Sequence, residues 1–223
     1  MTTLMPFYCV FQDYYGLKTF VASQGPKVNT TIDFWGMVWE NDAHTIVMLT
    51  NIVENGREKC FKYWPDAGEG SVMYGDFQIY NHNYEKESLF TISYLEIKKG
   101  PKRRLLKHFH FNAWPDFGAP QHEDSLLDFI KTIKFMVPHT RDQPMVVHCS
   151  AGVGRTGTFI GLWNLIECFE KELHNSKTDI KKTILDMRED RPSMVQSQDQ
   201  YLYLCKCIAR FMANPNAWNR RNN

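Results

Sequence analysis

Cys149, Gly152, Gly154, Arg155 and Gly157 lie in one short run, Val146 to Phe159 (VVHCSAGVGRTGTF). Apolar residues lead into the glycines and helix-compatible residues lead out. The run therefore reads as the end of a buried strand, a tight turn and a helix start. Such a turn points the successive backbone N–H groups of Ser150, Ala151, Gly152, Val153 and Gly154 into one concavity, which is a seat for an anion. No lysine stands where a nucleotide-binding P-loop needs one, which argues against a nucleoside triphosphate. Instead Cys149 lies at the floor, and Arg155, six residues on, can fork onto an anion's oxygens. A free thiol titrates near about 8.5, but a helix N-terminus and N–H donors bring such groups to roughly 3.5–7.5. The expected chemistry is attack by a thiolate on a bound phosphoryl group, with Thr156 able to donate a hydrogen bond to the sulfur.

Transfer of phosphoryl to sulfur leaves an alkoxide or phenolate that needs a proton from across the site. Asp116 lies in Trp114-Pro115-Asp116-Phe117-Gly118-Ala119-Pro120, a loop by its prolines and glycine. Trp114, Pro115, Phe117 and Gly118 carry nothing that releases a proton near neutral pH, so Asp116 is the candidate acid. Once ionised, it can take the proton of the water that hydrolyses the thiophosphate. Loop closure would bring it in and exclude bulk water.

The run around Cys149, together with the Asp116 loop, resembles the signature of the tyrosine-specific protein phosphatases, and similar motifs recur from Phe20 to about Ile208. The resemblance implies an α/β fold, a single domain with a twisted mixed β-sheet flanked by helices. It also implies hydrolysis of phosphotyrosine in proteins through a phosphocysteine intermediate. Cys149 would be the nucleophile, Asp116 the acid and then the base, and Arg155 the phosphate clamp. By the same resemblance His148 helps set the loop and the thiol, Gln196 positions the hydrolytic water, and Gln200 accompanies it as a substrate-binding residue. Glu54 holds the Arg155 fork, Lys59 meets Asp116 on closure, and Trp114 supports the acid loop. No cofactor and no metal are implied.

The resemblance stops near residue 20. The family carries a further helical stretch there, and a Lys-Asn-Arg-Tyr motif whose tyrosine deepens the pocket for phosphotyrosine. Neither is found before Phe20. The expected division is a short segment 1–19, a catalytic domain 20–213 and a tail 214–223. A second reading follows, a truncated, weakly active or inactive module that binds or sequesters phosphoproteins. Asp116 weighs against it, because a binding module needs no acid. A sulfur-transfer or arsenate-reducing enzyme with a similar cysteine loop would have no use for the Asp116 loop either. A lone domain of this sort is also similar to phosphatases carried by large insect-associated viruses of the bracovirus type, which would act inside a host cell.

Composition sets the remaining bounds. A chain of 223 residues suits one α/β domain. A net charge of +1 gives no global field for nucleic acid or an anionic membrane. The six cysteines are scattered, and Cys205-x-Cys207 has no companion ligands at zinc spacing. No run of about 18 apolar residues occurs, and the start lacks a secretory pattern. The expectation is a cytoplasmic monomer acting on phosphotyrosine-containing proteins, with no nucleic acid and no membrane segment.

The elements that must hold these groups can be read in order. A strand is expected at Phe20–Ala22, a helix at Ile32–Asn41 capped by Thr30, and a strand at His44–Thr50, covered on both faces. Antiparallel strands should follow at Cys60–Trp64, Asp76–Tyr80, Leu89–Ile97 and Leu105–Asn112. The cluster Lys98–Arg104 would be a solvated hairpin tip, the alternative being a docking point for an acidic partner. Then come a helix at Ser125–Val137, the strand Met145–His148, a long helix from Arg155 to about Leu173, and another capped by Thr178 or Asp179. A capping box of Ser197 and Gln200 opens the last helix. Residues 1–18 show no clear periodicity, with a turn at Tyr14-Tyr15-Gly16.

Overall fold

A computed structural model describes residues 8–12, 18–115, 118–137, 143–171 and 179–214. The expected turn at Tyr14–Gly16, the Thr178 cap, the helix end at Leu173 and Asp116 itself lie outside the described residues. In chain order the elements are β1 (Tyr8–Gln12), β2 (Lys18–Ser23), α1 (Thr31–Glu40), β3 (Thr45–Met48), β4 (Val53–Glu54), β5 (Arg57–Glu58), β6 (Ser71–Tyr74) and β7 (Phe77–Lys86). They continue with β8 (Phe90–Lys99), β9 (Lys102–Phe111), α2 (Glu123–Met136), β10 (Met145–His148), α3 (Gly154–Lys171), α4 (Ile180–Asp190) and α5 (Gln198–Ala213).

Eight of the strands form one twisted mixed sheet in the order β1-β2-β10-β3-β9-β8-β7-β6. Its centre is parallel: β10 pairs with both β2 and β3, and β3 pairs with β9. The flank β9-β8-β7-β6 is the expected antiparallel meander. β3 and β10 are buried at every position, as their unbroken apolar runs require of strands covered on both faces. On one face, Phe34, Trp35 and Val38 of α1 pack with Tyr63, Ile46 and Ile97. On the other, α2, α3 and α5 contribute Phe129, Phe159, Trp163, Leu204 and Ile208 to the larger core. The result is the α/β single domain anticipated from the motifs, with helices on both sides of a mixed sheet.

Four local expectations change. Cys60–Trp64 is not a strand. Cys60, Tyr63 and Trp64 are all buried, and the segment's backbone is satisfied from outside any ladder: Phe61 N–H donates to Pro26 O (2.8 Å) and Trp35 Nε1 to Tyr63 O (3.1 Å). Thr30 precedes α1 but does not cap it with its side chain; its Oγ1 accepts from Lys27 N–H (2.9 Å), closing a preceding 3₁₀ turn at Val28–Thr30. β6 is an added edge strand. β1 lies antiparallel to β2, so the sheet begins at Tyr8, earlier than periodicity suggested. The Lys98–Arg104 cluster does form the β8–β9 hairpin tip.

Candidate active site

The site forms where β10 ends, at the carboxyl edge of the parallel strands, where open α/β sheets leave a crevice for ligands. β10 is extended by Leu49 N–H donating to His148 O (2.9 Å). The chain then turns through 149–153 and enters α3 at Gly154. Two glycines make the turn possible. Gly152 has φ +72, and a Cβ there would sit 2.1 Å from Ser23 O; at Gly154 a Cβ would sit 2.8 Å from the Gln200 amide. No L side chain fits the first, and only a displaced Gln200 would admit one at the second.

Cys149 is 4 % exposed. Gly152 N–H donates to its Sγ (3.2 Å). Ser150 Oγ–H donates to Lys59 O (2.9 Å), and Gly25 N–H to Ser150 O (3.0 Å), which fix the turn to its neighbours. From the other side Arg191 donates through Nε to Gly152 O (2.9 Å) and through Nη2 to Ala151 O (3.3 Å). A carbonyl held outward turns the N–H of the same peptide plane to the opposite side, so Arg191 orients two units of the nest. Sequence reasoning missed it; its only sequence signal is a position shortly before Gln196.

Arg155 meets Glu54 end-on, with Nη1 donating to Oε1 (2.6 Å) and Nη2 to Oε2 (2.9 Å). Nη1 also donates to Leu49 O and Nη2 to Pro115 O, both at 3.1 Å. The remaining donor, Nε–H, has no partner among the described residues. An anion would therefore meet the guanidinium on its Nε–Nη2 side, where one tooth of the fork is already on the carbonyl preceding Asp116. The same guanidinium lies 5.8 Å from the ring centre of Trp114, which is buried and donates through Nε1 to Gly118 O (3.3 Å). Arg155 thus contacts the two residues that lead into the loop carrying the expected acid.

Glu54 is the partner foreseen for Arg155. Burial pushes its pKa up, but the Arg155 hydrogen bonds, the Asn51 N–H, the Arg155 charge and the Thr50 hydroxyl outweigh that and hold it below the ordinary value of 4.5. A folded value below the unfolded one means that ionised Glu54 stabilises the native state fully above about pH 4.5, and that this contribution fades as pH falls through the folded value. The stability gap between wild type and Glu54→Gln should be flat near neutrality and narrow below pH 4.5. It should stay under the roughly 3–5 kcal/mol of a stranded buried charge, since the amide keeps an acceptor. Urea midpoints of both proteins across pH 3–7 test this, and a gap that does not narrow on acidification would refute the linkage.

Other expected residues divide. Thr156 is buried, yet its Oγ1 has no hydrogen-bond partner among the described residues, so the expected bond to the sulfur is not made here; the Gly152 N–H takes that place. Gln200 does form the capping box with Ser197, and its Oε1 also accepts from Gln196 N–H (2.9 Å). Its amide oxygen is thereby engaged in the turn, while the amide lies against Gly154. Gln196 is exposed and follows Val195, which has φ +58. That left-handed conformation is held by Val195 N–H donating to Val153 O (3.2 Å) and by Arg188 donating to Met194 O and Val195 O, both at 2.8 Å. Lys59 has its backbone N–H on Ile52 O (2.8 Å). His148 is fully buried; its Nδ1 lies 3.1 Å from Cys149 O and its Nε2 2.8 Å from Tyr63 Oη. Burial pushes His148 down to about 4, which keeps the ring neutral at neutral pH.

A buried sulfur accepting from a backbone N–H, beside an arginine oriented by a carboxylate at the edge of a parallel sheet core, matches the arrangement expected from the cysteine loop. The family model of the protein-tyrosine phosphatases matches residues 9–210, and the chain belongs to that family. Among curated relatives it is 40% identical over 198 residues to receptor-type tyrosine-protein phosphatase eta of Gallus gallus, covering 87% of this chain and 14% of the relative. It is 37% identical over 210 residues to receptor-type tyrosine-protein phosphatase epsilon of Homo sapiens (91% and 29%). Against tyrosine-protein phosphatase 2 of Dictyostelium discoideum the identity is 39% over 204 residues (87% and 52%). The chain thus spans from 14% to 52% of the length of these relatives. Among the described residues no helix is long and apolar enough to cross a membrane.

Proposed function

We propose that this chain is a protein-tyrosine phosphatase that hydrolyses phosphotyrosine in proteins through a phosphocysteine intermediate. The observation that carries the reading is Cys149 Sγ beneath the Gly152 N–H, beside an Arg155 whose end-on face is taken by Glu54 and whose Nε–H has no partner among the described residues.

In the first step the Cys149 thiolate attacks phosphorus, the P–O bond to the tyrosine breaks, and Asp116 gives its proton to the departing phenolate. The equatorial oxygens rest on the N–H groups of 150–154 and on Arg155, donors fixed before reaction, so that little reorganisation is needed as charge develops. In the second step water attacks the thiophosphate, Asp116 takes its proton, the S–P bond breaks, and inorganic phosphate leaves the regenerated thiolate. Gln196 orients that water. Gln200 acts by holding the turn that presents Gln196, rather than by touching substrate. Thr156, whose buried hydroxyl has no partner among the described residues, donates to the sulfur once substrate is bound. Lys59 is the cation for Asp116 on closure. The functional unit is the segment 20–213, with β1 completing the sheet edge.

Purified protein should hydrolyse an aryl phosphate and a phosphotyrosine peptide, and should prefer the latter to the matched phosphoserine peptide. Iodoacetate should inactivate it by alkylating Cys149, with inorganic phosphate protecting. Binding of the phosphotyrosine peptide with no phosphate release would replace the enzyme by a sequestering module. Equal turnover of both peptides would remove the tyrosine selectivity.

A further inference from the structure

Three buried rings from separate parts of the chain form a line that ends on the nucleophile's own peptide group. His108 of β9, Tyr63 and His148 are each 0 % exposed. Tyr63 Oη lies 2.7 Å from His108 Nε2 and 2.8 Å from His148 Nε2, and His148 Nδ1 lies 3.1 Å from Cys149 O. Hydrogen-bond accounting fixes every proton in this line. A carbonyl only accepts, so His148 Nδ1 carries the N–H. The neutral ring has one such proton, which leaves Nε2 a bare acceptor. Tyr63, whose ionisation burial pushes well up, holds one proton and donates it to that Nε2. The phenol oxygen then accepts from His108, so His108 is the Nε2–H tautomer with a bare Nδ1. Among the described residues His108 Nδ1 is indeed the one nitrogen of the two imidazoles without a partner. Placing the His108 proton on Nδ1 instead would strand a buried donor, which is costlier than an unused lone pair.

We propose that His108 is a positioning residue for the site: by donating to Tyr63 Oη it commits the phenol proton to His148, and so fixes the ring that holds the Cys149 carbonyl. The peptide joining Cys149 to Ser150 is planar and trans, so a carbonyl held toward His148 sends the Ser150 N–H the opposite way, as a nest donor requires. Without His108, the phenol has another acceptor within reach, Met48 Sδ at 3.9 Å. A directed chain of donors also strengthens each member. The other ionisable groups that act on these rings are Cys60 and His110. Burial pushes the first up and the second down, so both are uncharged near neutral pH and leave the line undisturbed. Trp64 packs on His108 with ring centres 4.4 Å apart.

The effect on turnover rests on the phosphatase reading; the tautomers do not. Long-range ¹H–¹⁵N correlation spectra of histidine-labelled full chain read the tautomers directly, for wild type, His108→Phe and His108→Gln. Wild type should show Nδ1–H at His148 and Nε2–H at His108. In His108→Phe the His148 Nε2 signal should move toward that of a nitrogen accepting no hydrogen bond, and kcat/KM for an aryl phosphate should fall about 2- to 10-fold, the size of one hydrogen bond. His108→Gln, whose amide N–H can reach the phenol, should restore both. An Nε2–H tautomer at wild-type His148, or a His148 spectrum unchanged in His108→Phe, would overturn the proposal. Should the Phe variant not fold, the wild-type tautomers and the Gln variant decide it alone. A chain without phosphatase activity would leave the spectral outcome intact, so the two readings fail separately.

Discussion

Cys149→Ser should abolish turnover while leaving binding of a phosphate ester largely intact. The substitution removes the expected nucleophile and leaves the backbone of 150–154, the Arg155–Glu54 pair and the Arg191 clamp in place, because apart from the Gly152 N–H none of them depends on sulfur for its own hydrogen bonds. Only the Gly152 N–H changes partner, and a serine oxygen can accept from it. A serine hydroxyl is a far weaker nucleophile near neutral pH than a thiolate, so the phosphoenzyme should not form. Wild type, by contrast, should show the thiol-reversible inactivation by peroxide expected of a substrate-accessible thiolate. Calorimetric titration with a phosphotyrosine peptide and a turnover assay with the same peptide test both halves. Residual activity within tenfold of wild type would sink the phosphocysteine route, and lost binding would mean that the thiol itself shapes the nest.

The second large effect is expected at Asp116. Removing a general acid costs about 10²–10⁴-fold, and Asp116→Ala should slow hydrolysis of an alkyl or phenyl phosphate by that amount. The loss should shrink for a leaving group acidic enough to depart unprotonated, such as a nitrophenolate. Arg155 gives the prediction a structural footing, since it contacts Pro115 O and the Trp114 ring on the shoulder of the loop and is itself expected to hold the phosphate. Acid and substrate would then be brought together by one side chain. Leaving-group plots for wild type and variant decide the assignment: parallel slopes would show that Asp116 is not the proton donor.

The nucleophile turn was legible because its signals are local. Met145–His148, the glycines and the start of α3 follow from runs of adjacent residues, and the Ser197–Gln200 box from a spacing of three. Glu54 and Lys59 could be named only through the family resemblance, since their distance in sequence from Arg155 and Asp116 hides any pairing. Tyr63, His108 and Arg191 escaped because each acts through a tertiary contact: Tyr63 reaches His148 across 85 positions and Arg191 reaches Gly152 across 39. Cys60–Trp64 misled for a related reason. Its aromatic run has the look of a strand, but burial of Tyr63 and Trp64 against α1 and His108 outweighs ladder pairing. The capping box was read correctly in geometry, though not in its effect of engaging the Gln200 amide.

The parallel pairing of β10 also bears on how the molecule comes into being. Met145 sits beside Phe20 on one side and Thr45 on the other, so the middle strand of the sheet is supplied long after its neighbours have been synthesised. Contacts of such sequence separation are slow to form, because the intervening chain must be closed into a loop before they contribute anything. During synthesis at about 5–20 residues per second, β2 and β3 wait without the strand that joins them, each with a row of backbone N–H and C=O groups still unpaired. The strand that completes the sheet is the one that leads into Cys149. On the proposed reading a nascent chain therefore has no assembled anion seat until its sheet has closed, and the timing of folding is also the timing of competence.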